Sequence, residues 1–207
     1  MPTYNERENV ESMCRQLLSL NLDADILFMD DHSPDGTGDI LDGLARANDR
    51  VFVAHRAGKL GIGSAHQEGI AWAYDRRYPI LVTMDCDFTH SPSDIPTLLK
   101  HLEGHDVAVG SRYLQEGSLA DWNLLRKSLT RFGHFLTKRL LKIQYDATGA
   151  FRAYRLTAIP EALFRLVPSR GYAFFLKACL FFRRTTSPSM NCPLCCPSGP
   201  MVIPRCA

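Results

Sequence analysis

Asp85 and Asp87 stand one residue apart in Asp85-Cys86-Asp87-Phe88-Thr89-His90, directly after the apolar run Tyr78-Pro79-Ile80-Leu81-Val82-Thr83-Met84. A run of that length closed by an acidic turn reads as a buried strand delivering its carboxyl end to a site. Side chains alternate along a strand, so residues i and i+2 share a face wherever the strand persists. Two hard oxygen donors on one face suit Mg²⁺ or Mn²⁺, cations that usually bind substrate phosphates as well. The chemistry this implies is the handling of a phosphate ester through a divalent cation.

The elements around this pair alternate. Apolar residues Val10, Met13, Leu17, Leu18 and Leu20 recur at helical spacing over 9–20, and 24–29 is a short apolar run ending at Asp30-Asp31. Ser33-Pro34-Asp35-Gly36-Thr37 is turn chemistry, with Asp35 placed to cap the helix that follows over 38–48. A strand over 50–55 leads to the glycine-rich loop Gly58-Lys59-Leu60-Gly61-Ile62-Gly63 and a helix over 64–74. After the 78–84 strand come a helix over 93–102 and a strand over 106–110. Strands alternating with helices predict an α/β fold, a Rossmann-like and mostly parallel sheet with helices on both faces. Ligands of such sheets gather beyond the carboxyl ends of strands, where Asp30-Asp31, Asp85-Asp87 and Ser111-Arg112 all fall.

Composition narrows the class. A chain of 207 residues with 45% hydrophobic and 22% charged residues fits one substantial globular domain. A net charge of +2 gives no argument for a nucleic-acid partner. Charges run through the first 25 residues, and no stretch approaches the roughly 18 apolar residues of a membrane span, so a cytoplasmic location is expected. Residues 121–145 interleave Leu125, Leu129, Phe132, Phe135, Leu136, Leu140 and Leu141 with Arg126, Lys127, Arg131, Lys138, Arg139 and Lys142. This basic amphipathic pattern suits either an anionic membrane surface or a core helix with a solvated face. Cys192, Cys195, Cys196 and Cys206 lack a second well-spaced pair, so the reading against a zinc site is the stronger one.

Six stretches in order carry a resemblance. They are Pro2-Thr3-Tyr4-Asn5-Glu6-Arg7-Glu8-Asn9, Asp30 to Thr37, Gly58 to Ala65, Met84 to Pro92, Val109-Gly110-Ser111-Arg112-Tyr113, and Asp146-Ala147-Thr148-Gly149-Ala150-Phe151-Arg152. Together they resemble family 2 glycosyltransferases of the GT-A fold, of the dolichol-phosphate (polyprenyl-phosphate) mannosyltransferase type. The resemblance implies transfer of mannose from GDP-mannose to dolichyl or polyprenyl phosphate, with Mg²⁺ or Mn²⁺ as cofactor. It implies sugar-nucleotide contacts from Pro2, Tyr4, Glu6, Met29, Asp31, Asp85, Cys86 (through its backbone), Asp87 and Arg112. Asp85 and Asp87 would hold the metal, with Thr89 as a weaker third ligand; Asp87 and Arg112 would be catalytic. Arg112 and Arg126 would bind the acceptor phosphate, and Arg152 lies in a matching motif where a structural ion pair is at least as good a reading. The enzyme would sit peripherally on the cytoplasmic face of a membrane.

The ends depart from the family pattern. A first strand is expected before Pro2 and is lacking, and nothing beyond about Lys177 matches. The expected organisation is therefore a GT-A domain over 1–177, incomplete at both ends, and an aberrant or disordered Pro- and Cys-rich tail over 178–207. Three other functions compete: a UDP-glucose-dependent polyprenyl-phosphate glucosyltransferase, an inactive truncated fragment, and a haloacid dehalogenase-like phosphatase. The last rests on the Asp85-x-Asp87-x-Thr89 spacing and Ser111, but there the acidic pair normally ends the first strand.

Overall fold

The computed structural model describes residues 1–110, 149–167, 171 and 173–178, together with the backbone of Met201–Pro204. In chain order the elements are β1 (Pro2–Thr3), α1 (Val10–Ser19), β2 (Ile26–Asp30), α2 (Thr37–Ala47), β3 (Val51–His55), α3 (Ile62–Asp75), β4 (Ile80–Thr83), a 3₁₀ turn (Pro92–Asp94), α4 (Ile95–Leu102), β5 (His105–Val109), β6 (Arg152–Arg155), α5 (Glu161–Arg165) and β7 (Met201–Pro204). Residues 173–178 are helical. The expected strand–helix alternation through residue 110 is present, with boundaries shifted by at most two residues.

Strands β1, β2 and β3 pair in parallel in that spatial order. The order of the second group is β4-β6-β5-β7; β6 runs antiparallel to both β4 and β5, so those two share a direction. Strand β7 pairs antiparallel with β5, so part of the segment expected to be a structureless tail contributes a strand. At the other end, Pro2–Thr3 form the two-residue β1, with Pro2 beside Met29 and Thr3 beside Asp30. A largely apolar cavity of about 350 Å³ lies between β2 and β4, with Leu27, Met29, Ile70, Leu81 and Val82 among its walls.

Alternation along the strands splits the core in two. Val107, Val109 and Tyr154 join Ile70, Ala73, Phe164 and Phe174, from α3, α5 and the 173–178 helix. Their neighbours Ala108 and Ala153 face the other way, into Val10, Met13, Leu41, Ile95, Leu98 and Leu102 of α1, α2 and α4. Helices thus cover both faces, as the sequence pattern predicts. Strand β6 is among the elements that pattern misses, because Arg152-Ala153-Tyr154-Arg155 has a cation at each end and no apolar run. Arg152 is nonetheless 1% exposed: its Nε donates to the Gly149 carbonyl at 2.9 Å, and its guanidinium lies 4.8 Å from the centre of the Phe175 ring.

Candidate active site

The first motif is fastened to the turn after β2 by four hydrogen bonds. The Asn5 N–H donates to Ser33 Oγ (3.1 Å), that of Glu6 to Thr37 Oγ1 (3.0 Å), that of Arg7 to Asp35 Oδ2 (3.2 Å), and Arg7 Nη1 to the Asp35 carbonyl (3.1 Å). Asp35 Oδ1 also accepts from the Thr37 N–H (3.0 Å) and from Thr37 Oγ1 (2.6 Å), the helix-start role expected of it. Gly36, at φ +89°, supplies the left-handed conformation that brings the chain from Asp35 into α2. Tyr4 is partly buried, and Lys59 from the glycine loop places Nζ 3.9 Å from the centre of its ring.

The two adjacent aspartates closing β2 take different partners. Asp30, 2% exposed, accepts from Ser33 Oγ (2.6 Å), from the Ser33 N–H (3.2 Å) and from Thr3 Oγ1 (3.4 Å). Asp31, 5% exposed, accepts from Arg56 Nη1 through Oδ1. Met29 is 4% exposed, and its side chain packs on Gly69 of α3.

Strand β4 stops at Thr83, so the alternation expected to align Asp85 with Asp87 does not operate. Local turn chemistry places them instead. The Thr89 N–H donates to Asp87 Oδ1 at 3.0 Å, and Phe88 takes a positive φ of 56°. Asp87 is exposed, and the Asp85 side chain is 37% exposed with Oδ1 4.0 Å from His66 Nε2. Cys86 is 2% exposed and packs in the core; burial first, and then the Glu6 charge, pushes its thiol up to about 12.

These stretches meet. Burial raises the pKa of Glu6, the bond from Asn9 Nδ2 (2.7 Å) pulls it back, and the charge of Asp87 raises it again, so the first motif and the β4 loop share one electrostatic environment. His66, packed between Phe174 and Phe175, is held neutral by burial, then by the Met1 amine and by Arg152. Among the described residues no group of three or more His, Cys, Asp or Glu is arranged to hold a metal ion. Asp85, Asp87 and the Thr89 hydroxyl are hard oxygens from one loop, and Asp87 Oδ2 has no protein partner among the described residues. That donor set fits a small divalent cation whose remaining ligands come from phosphate and water.

Pro2, Tyr4, Glu6, Asp31, Asp85, Cys86, Asp87 and Thr89 thus lie on β1, at the carboxyl ends of β2 and β4, and in the loops that follow. Met29 turns its side chain into the core. Arg112, Arg126, Ser111, the basic stretch 121–145 and Cys192, Cys195, Cys196 and Cys206 lie outside the described residues. Arg56, Lys59 and His66 are functional candidates that the sequence reading passed over. A cation directly after β3, where ligands gather in such sheets, was the available signal for Arg56.

The chain is similar in sequence to known proteins. The sequence is 39% identical over 177 residues to polyprenol monophosphomannose synthase from Mycolicibacterium smegmatis, covering 84% of this chain and 67% of that protein. It is 35% identical over 175 residues to undecaprenyl-phosphate mannosyltransferase from Micrococcus luteus, covering 84% of this chain and 72% of the relative. A mannosyltransferase from Pyrobaculum calidifontis, solved with GDP-Man and Mn²⁺, superposes with a TM-score of 0.48 at 14% identity over 82% of this chain; the chain spans about half, 52%, of that protein's length. The acidic pair follows the fourth strand, not the first, and the family 2 glycosyl transferase profile matches residues 1–162. The phosphatase reading falls with that match, and the chain belongs to glycosyl transferase family 2.

Proposed function

We propose that this chain transfers mannose from GDP-mannose to dolichyl or another polyprenyl phosphate, with GDP as the second product. The observation that carries the reading is the placement of the first motif beside both acidic pairs, with the Asp31 N–H donating to the Thr3 carbonyl at 3.0 Å and Met1 packing against the cluster that holds Cys86, in a chain 39% identical to a polyprenol monophosphomannose synthase. Asp85 and Asp87 would hold Mg²⁺ or Mn²⁺, with Thr89 a weaker third oxygen. Such a cation, when bound, neutralises charge building on the GDP leaving group.

The chain's own residues do the rest. Pro2, Tyr4 and Glu6 line the sugar nucleotide. Asp31 offers Oδ2 to the nucleoside, since Oδ1 is already taken by Arg56. Arg112 and Arg126 pair with the acceptor phosphate, whose charge a planar guanidinium matches in two parallel hydrogen bonds. An oxygen of that phosphate bonds to the anomeric carbon of mannose as the carbon–oxygen bond to GDP breaks. The attacking oxygen is anionic near pH 7, so the reaction needs no strong general base. Neither protonated Cys86 nor buried, neutral His66 has to act as one. The basic stretch 121–145 would hold the enzyme peripherally against the cytoplasmic face of a membrane. No helix among the described residues is long and apolar enough to cross one.

The test is transfer from radiolabelled GDP-mannose or UDP-glucose to a short polyprenyl phosphate, with and without chelator. Metal-dependent formation of lipid-linked mannose and stoichiometric GDP is the expected result. Transfer of glucose alone would reassign the donor, and nucleotide binding without transfer would reduce the chain to a binding fragment.

A further inference from the structure

Arg56 directly follows β3, and its side chain is 3% exposed. Its N–H donates to the Asp30 carbonyl at 2.8 Å, which registers it against the end of β2. Nη1 donates to Asp31 Oδ1; Nε and Nη2 donate to the two oxygens of Glu68 at 2.9 and 3.0 Å; Nη2 also reaches Ser64 Oγ at 2.6 Å. Ser64 Oγ in turn lies 3.0 Å from the Leu60 carbonyl and 2.7 Å from that of Gly61. One buried cation therefore links the last carboxylate of the β2 acidic pair, the glycine loop and α3.

A structural tie between β3 and α3 would need only Glu68, which already meets the guanidinium in a bidentate pair. Asp31 adds a second carboxylate to a single cation. It is almost as buried as Arg56, and its Oδ2 has no protein donor among the described residues. The arrangement holds a carboxylate in one orientation while sparing the oxygen that a ligand's N–H or O–H groups would meet. The same loop also reaches the first motif, where Lys59 Nζ lies 3.9 Å from the centre of the Tyr4 ring.

We infer that Arg56 is the positioning residue of the nucleoside pocket: it orients Asp31 toward the base or ribose and braces the glycine loop against it. The inference rests on the reading of Asp31 as a nucleoside contact. Because Arg56 acts on the nucleoside half of the ligand, its effect must separate from binding of the diphosphate.

The experiment is calorimetric titration of the full chain, in Mg²⁺, with GDP and with inorganic pyrophosphate. The proteins are wild type, Arg56→Lys, Ser64→Ala, Asp31→Asn and the Arg56→Lys/Asp31→Asn double variant. Arg56→Lys is expected to weaken GDP about tenfold while changing pyrophosphate less than about twofold, since lysine keeps the charge and loses the fork. In the Asp31→Asn background Arg56→Lys should have no further effect on GDP. Ser64→Ala, which leaves the buried pair intact, should weaken GDP a few-fold with pyrophosphate again unchanged, and it carries the test should Arg56→Lys not fold. Equal losses for GDP and pyrophosphate, or additive effects in the double variant, overturn the inference. A wild type that binds pyrophosphate but not GDP overturns the nucleotide reading itself, a result distinct from wild-type GDP binding that neither Arg56→Lys nor Ser64→Ala disturbs.

Discussion

At the end of β2, Asp30 and Asp31 are 2% and 5% exposed and take their hydrogen bonds from Ser33, Thr3 and Arg56; in the loop after β4, Asp87 is exposed and Asp85 partly so. Both acidic pairs follow the carboxyl end of a strand. Burial separates their uses. A carboxylate shielded from water and met by several donors is part of the framework, and removing it strands those donors. One that keeps an oxygen toward solvent retains the coordination capacity that a cation needs. Asp30 is framework on these grounds, Asp31 keeps Oδ2 for a ligand, and the exposed Asp87 keeps Oδ2 for the proposed cation.

The largest effect that would break this contrast is expected at Asp87. Asp87→Ala should lower kcat about a thousandfold, near 4 kcal/mol in the barrier, while the melting temperature stays at the wild-type value. Chelation should likewise stop turnover without lowering that temperature. A variant that loses stability instead would make Asp87 a second framework aspartate. Asp30→Ala should show the reverse, losing about 2–3 kcal/mol in urea unfolding because the Ser33 N–H and hydroxyl lose their acceptor. Full stability in that variant would remove the distinction.

Gly110→Ala sharpens the comparison from the β4 side. A Cβ at Gly110 would lie 2.2 Å from the Phe151 ring, which stacks on His90 of the Asp85–Asp87 loop at 4.8 Å between ring centres. Overpacking there should cost about 1–3 kcal/mol, read by thermal unfolding, with a fall in Mg²⁺ affinity as the loop shifts. The smallest effect belongs to His55. Its hydrogen bond to Asp42 (2.9 Å), partly opposed by burial and helped by Asp30, raises its pKa. A raised folded-state value means the contribution is complete below about pH 6.5, the unfolded imidazole value, and fades as pH rises through the folded one. Both partners are nearly half exposed, so the pH-dependent difference between wild type and Asp42→Asn should stay below about 1 kcal/mol. Chemical denaturation at pH 5.5 and 8 measures it.

Much of the framework could be read from local pattern. Of the α1 stripe, Val10 and Met13 are buried while Leu17, Leu18 and Leu20 pack partly buried against the same core, and Asp35 accepts from the Thr37 N–H at the start of α2. The strand that delivers Asp85 and Asp87 is where the apolar run placed it, although it ends two residues before the first of them. Alternation was the wrong rule for that pair, because β4 ends at Thr83, and the Thr89 N–H bond to Asp87 and the left-handed Phe88 shape the loop that follows. β6 was not legible, since its two terminal cations hide it from an apolar-run reading, and Arg152 is buried among partners that include the Gly149 carbonyl and the Phe175 ring.

The order of strands and helices through residue 110, the position of the acidic pairs at strand ends, and membership of a glycosyl transferase family follow from the amino-acid sequence itself. Helical and strand periods are properties of neighbouring residues and need no partner to be recognised. Which aspartate is framework and which is open, and that Arg56 governs Asp31 from 25 residues away, were settled only by tertiary packing. Burial and hydrogen-bond partners depend on segments distant along the chain, and desolvation, which gives a carboxylate its role, exists only once those segments have met.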